Sequence, residues 1–99
     1  MIECKIWADG SMMFGDVFLC PLQIKYLANW FNLHIVEIRE RGFVGVTKNE
    51  DLELIVCSLN GITFISTGRD FGFFSNEQLT QIKKFINDHR EVVGCQEVV

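Results

Sequence analysis

The chain has 99 residues, 48% of them hydrophobic and 12% aromatic, which excludes a disordered polypeptide and allows a core without metal or disulfide staples. Its formal net charge is −4 and its basic residues are scattered, which argues against nucleic acid as a partner, because phosphate binding needs a concentrated basic face. No apolar run reaches the ~18 residues that cross a bilayer, and no basic start precedes a long apolar segment. A cytoplasmic protein with one domain over residues 1–99 is expected, with 91–99 a loose tail or an edge strand.

Ile2, Cys4 and Ile6 alternate with Glu3, Lys5 and Trp7, which predicts a strand, and Asp9-Gly10 marks a hairpin turn into Met12-Met13-Phe14. Gly15-Asp16 interrupts the return before Val17-Phe18-Leu19. Met12 and Met13 beside Trp7 and Phe14 read as core filling, with an adaptable binding surface as the alternative. Pro21 suits the first position of a helix, where its missing N–H costs nothing, and Ile24, Leu27, Ala28 and Phe31 follow at helical spacing. Tyr26 and Trp30 form a second aromatic stripe, and Asn32 is the expected terminator.

From Leu33 to Thr67 the pattern predicts four consecutive β-strands. Asn60-Gly61 between two apolar runs gives a type I′ turn, since both residues tolerate positive φ. Leu59 then faces Ile62, Cys57 faces Phe64 and Ile55 faces Ser66. In the hairpin before it, a Glu40-Arg41-Gly42 loop with Gly42 left-handed pairs Val36 with Val46 and Ile38 with Val44. A four-residue turn, Lys48-Asn49-Glu50-Asp51, pairs Thr47 with Leu52. The expected core face carries Val36, Ile38, Val44, Val46, Ile55, Cys57, Leu59, Ile62 and Phe64. The opposite face, with Phe43, Leu52, Leu54, Val56 and Ile65, is apolar too. Left uncovered, it calls for a homodimer or an obligate partner.

Gly68 to Phe74 reads as a glycine-bounded loop rich in aromatics, with Arg69, Asp70 and Phe71 as candidate partner-binding residues. Its Asp70-Phe71-Gly72 matches the kinase metal-binding tripeptide in letters only, because the chain has no glycine-rich loop, no catalytic loop and no room for a kinase lobe. Ser75 and Gln78 make a capping box flanked by Phe74 and Leu79 at the staple positions. Leu79, Ile82, Phe85 and Ile86 are the buried stripe of the helix it opens.

Cys4, Cys20, Cys57 and Cys95 form no CxxC pair and no histidine stands at ligand spacing, so neither a zinc site nor any cofactor is expected. His34 opens a predicted strand and His89 closes a helix, roles that are structural before they are catalytic. Glu37, Glu40, Glu50, Asp51 and Glu53 gather around two turns, either as a solvated edge or as a patch that docks a basic partner. Glu50 and Asp51 are the candidates for that docking.

The expected fold is α+β, a single antiparallel β-sheet of five to six strands with two helices mainly on one face, in the order ββαββββα. That order resembles profilin-like and longin-like domains in element order alone and carries no functional residue across. The leading functional expectation is a non-catalytic protein-binding module. By size and charge it is placed with small acidic stoichiometric inhibitors of the immunity-protein or viral-inhibitor type. The alternatives are a small enzyme or ligand sensor with a pocket using His34 or His89, and a homodimeric structural protein. A protein partner is expected, and neither nucleic acid nor membrane.

Overall fold

Positive φ at both Asn60 (54°) and Gly61 (80°) turns the chain back on itself within two residues, as a type I′ turn requires. The strands it joins pair Leu59 with Ile62, Cys57 with Phe64 and Ile55 with Ser66, which is the register expected from the turn. The computed structural model describes residues 1–99. It is α+β, but the expected single sheet is not present: the strands form two sheets of three and four. The first contains β1 (Cys4–Ile6), β2 (Met12–Phe14) and β3 (Val17–Leu19) in chain order. The second contains β4 (Val44–Asn49), β5 (Leu54–Leu59), β6 (Ile62–Ser66) and β7 (Phe71–Ser75), also in chain order and antiparallel throughout.

Four helices complete the chain: α1 (Pro21–Leu33), α2 (Ile35–Arg39), α3 (Asn76–Asp88) and α4 (Arg90–Val93). The element order is therefore βββααββββαα rather than ββαββββα. Gly15-Asp16 is a tight turn between β2 and β3, with Gly15 at a φ of 59°, so it does not break the return strand but creates it.

The largest correction is at His34 to Gly42. The first of the four expected strands is the short helix α2, and no hairpin joins it to β4. Glu37 in its first turn and Arg39 in its last complement the helix dipole. The Arg41 N–H donates to the Ile38 carbonyl at 3.2 Å and the Gly42 N–H to the Glu37 carbonyl at 2.7 Å. With Arg41 left-handed at a φ of 58°, this is a Schellman helix end. A glycine after an apolar segment signals a hairpin turn and a helix C-terminus alike; here it closes the helix, and the left-handed residue is Arg41, not Gly42 as the expected loop required. Val36 is consequently exposed and unpaired with any strand.

The two faces of the second sheet are also the reverse of the expectation. Leu54, Val56, Ser58, Thr63, Ile65 and Phe74 are buried, with Leu54 and Val56 at 0% exposure. Burying the polar members costs little because the Thr63 hydroxyl donates to the Ser58 hydroxyl oxygen at 3.3 Å. A dimer through Leu54, Val56 and Ile65 is ruled out, since those side chains are internal; Phe43 is not with them but exposed. Thr47 pairs with Val56 rather than Leu52, with a bulge between Val44 and Thr47, and that bulge turns Val44 inward.

Helices α1 and α3 contribute to the same core from that inner side. Ile24, Leu27, Ala28 and Phe31 of α1 are fully buried. Trp30 of α1 donates its indole N–H to the Thr47 hydroxyl at 3.2 Å, and Gln23 donates to the Leu52 carbonyl at 2.7 Å. Ser75 and Gln78 form the capping box of α3, with Gln78 N–H to Ser75 Oγ at 3.2 Å and Ser75 N–H to Gln78 Oε1 at 2.8 Å. The first sheet joins this core through Met12, Phe14, Val17 and Leu19. Phe14 meets Phe85 of α3 edge-on at 6.0 Å.

The C-terminal segment is tied down by side-chain amides. Asn87 donates to the Val98 carbonyl and accepts from the Val98 N–H, both at 2.8 Å. Asn32 does the same for its neighbours, donating to the Glu97 carbonyl at 2.8 Å and accepting from the Val99 N–H at 2.9 Å. Val98 is thereby buried at 3% exposure.

Candidate functional site

The outer face of the second sheet is built by strand alternation. Since Leu54, Val56, Thr63, Ile65 and Phe74 point to the core, Ile55, Cys57, Leu59, Ile62, Phe64, Phe71 and Phe73 must point away from it. Val46 and Lys48 of β4 join them, alternating with the inward Thr47. No helix or strand covers this side: Val46 is 70% exposed, Phe71 and Phe73 are each 63% exposed, and Leu59 is 53% exposed.

Three phenylalanines organise one end of the face. Phe64 and Phe73 sit directly opposite each other on β6 and β7 with ring centroids 5.0 Å apart. Phe71 stands edge-on to Phe73 at 6.2 Å and tilted to Phe64 at 6.2 Å. The cluster holds its own rings in place before any partner arrives, which lowers the ordering cost of binding. Lys48 is the one charged side chain among these outward positions, and it pairs with Glu50 at 3.4 Å.

A cleft of about 740 Å³ lies where the β6–β7 turn, the β4–β5 turn, β2, β3 and the start of α1 meet. It brings together Asp51, Arg69 and Asp70 of the expected contact residues. Glu50 remains outside, held by Lys48, and Phe71 belongs to the open face next door. Asp70 ties the two sheets together by accepting the Phe18 N–H at 3.1 Å. Thr67 shapes the turn by accepting from the Arg69 and Asp70 amides at 3.1 and 2.9 Å. The apolar part of its lining is Met13, Phe18, Leu22 and Leu52, and its charge is mostly carboxylate.

Nothing in the chain matches a known family model, and neither the curated proteins nor the solved structures contain a match.

The histidines stand apart from these surfaces. His34 links α1 to α2 instead of opening a strand, packs against Trp30 at 5.2 Å and lies 3.9 Å from the Glu37 carboxylate. His89 caps α3, where its Nδ1 must donate to the Phe85 carbonyl at 2.8 Å because a carbonyl only accepts. A shallow groove contains His89 with Arg90, Glu91 and Cys95 but not His34. No three His, Cys, Asp or Glu side chains converge on one point. Elsewhere, Arg39 and Lys83 share a cleft of about 540 Å³, and burial first, then the Arg39 guanidinium, push the Lys83 ammonium pKa down.

The residues that make the outer face, Val46, Leu59, Ile62, Phe64 and Phe73, had read as core or loop. One signal could have found Phe73. Phe74 is committed to the core by the staple of α3, and if Phe71 to Ser75 is a strand then Phe71 and Phe73 must lie on the other side of it.

Proposed function

We propose that the chain is a non-catalytic protein-binding module whose binding surface is the outer face of the β4–β7 sheet. The observation that carries this reading is the preformed cluster of Phe64, Phe71 and Phe73 on an uncovered apolar sheet face. Aromatic side chains clustered on a rigid element are the usual anchors of protein interfaces.

Stacked phenylalanines on an open sheet also suit single-stranded nucleic acid, but such platforms combine stacking with a positive groove. Here the face holds Lys48 alone, already paired with Glu50, on a chain of net charge −4. The small-enzyme reading is weaker still, because neither histidine shares a cleft with the other or with the acidic cleft.

Affinity capture from cells that make the protein, with wild type and Phe73→Glu as baits, tests the reading. Wild type should retain a discrete protein partner, an untagged copy of the chain included, and Phe73→Glu should lose it. Equal retention by both baits would remove this face from the function.

A further inference from the structure

The size of the outer face narrows down what covers it. Val46, Leu59, Ile62, Phe71 and Phe73 are 70%, 53%, 45%, 63% and 63% exposed. With ~200 Å² for a whole phenylalanine side chain, those fractions leave roughly 500 Å² of apolar side chain open to solvent. The largest apolar patch of a typical monomer is about 300–600 Å², and a specific interface takes about 800 Å² from each partner. The patch is near the upper end for a monomer. It approaches interface size once the half-buried Ile55, Cys57, Phe64 and Ser66 between and beside those residues are covered with it.

Composition narrows the choice further. Interfaces that open and close are about as apolar as the rest of a protein surface, whereas permanent ones are more apolar and poorer in charge. This face carries one charged side chain, Lys48, and that charge is answered within the same chain by Glu50. An apolar face of this size needs an occupant that is present wherever the chain is made. A second copy meets that condition by construction, and a two-fold axis lets one patch bury itself against its own image.

The shape agrees with this. Two antiparallel sheets pack face to face about 10 Å apart by interlocking rows of side chains. Phe64, Phe71 and Phe73 put bulky rings on β6 and β7, while Cys57, directly across from Phe64, puts a small side chain on β5, which leaves room for the rings of another copy. Of the acids nearby, Asp51, Glu53 and Asp70 line the cleft, and Glu50 is paired with Lys48 at the edge of the face.

We propose that two copies of the chain form a two-fold homodimer by packing the outer faces of their β4–β7 sheets together, an inference that rests on that face being the binding surface. The test is sedimentation velocity over micromolar concentrations of the purified chain, comparing wild type with Phe73→Glu and Ile62→Lys, and with circular dichroism as the check on folding. Wild type is expected at twice the 11.4 kDa chain mass, and both variants at the chain mass with an unchanged spectrum. Cys57 should be shielded from iodoacetamide in wild type and lose that shielding in the variants.

A wild type that sediments at the chain mass throughout overturns the homodimer. The wider protein-binding reading then stands if capture still depends on Phe73, and falls if it does not. A dimer that persists in folded variants overturns the choice of face, and failure of both variants to fold overturns its being a free surface. A single-stranded RNA oligonucleotide bound by wild type and released by Phe73→Glu would mean a base-stacking platform, and would also overturn the homodimer.

Discussion

Phe73 and Phe74 are adjacent in β7 and have opposite fates: Phe73 is 63% exposed on the outer face, and Phe74 is 4% exposed in the core. Strand alternation separates them, and the helix that follows decides which one goes in. Phe74 and Leu79 occupy the staple positions around the Ser75 cap, so starting α3 pulls Phe74 inward and turns Phe73 out.

That dependence makes the cap a testable element. Ser75→Ala removes the oxygen that accepts the Gln78 N–H and should cost about 1 kcal/mol. A shift of the urea midpoint to lower concentration with an unchanged slope is the expected result.

The Asn60-Gly61 turn is the second. Gly61 has a φ of 80°, and a Cβ there would also press on the Arg41 side chain at 3.3 Å. Gly61→Val should lose about 1–3 kcal/mol through backbone strain. Gly45→Ala is the control, because a Cβ at Gly45 meets only the Phe43 ring at an ordinary 3.7 Å. Thermal melting should separate the two, with Gly45→Ala near wild type.

Asn87 makes the third. Its side chain pairs with both backbone polar groups of Val98 as a neighbouring strand would. Asn87→Ala should cost about 1–3 kcal/mol for two lost hydrogen bonds. Amide hydrogen exchange at Val98 should become fast, while exchange in β5 should speed up only by the loss of global stability.

What the sequence showed and what it hid divide along physical lines. Local chemistry was legible: the Asn60-Gly61 register, the Ser75-Gln78 box and the buried stripe of α1 follow from a few adjacent residues. Choices that depend on distant packing were not. The face bearing Ile62 and Phe64 is more apolar than the one bearing Ser58 and Thr63, yet the helices cover the second, where the two hydroxyls satisfy each other. The Arg41-Gly42 pair suits a hairpin as well as a helix end, and only the carbonyls of Glu37 and Ile38 tell which. Of the candidate contacts, Asp51, Arg69 and Asp70 come together in one cleft by way of turns from different hairpins, which no spacing in the chain announces.

The most direct test of the outer face as free surface is the urea midpoint of Phe73→Glu beside that of Phe74→Glu, measured at low protein concentration. Placing a carboxylate at position 74 should cost at least ~4 kcal/mol and unfold the chain, since it empties a packed site and buries a charge. The same change at position 73 should cost within ~1 kcal/mol at a concentration where the chain is monomeric, because that ring is then in water. Unfolding by both substitutions would contradict the assignment and make the β4–β7 sheet a two-sided core.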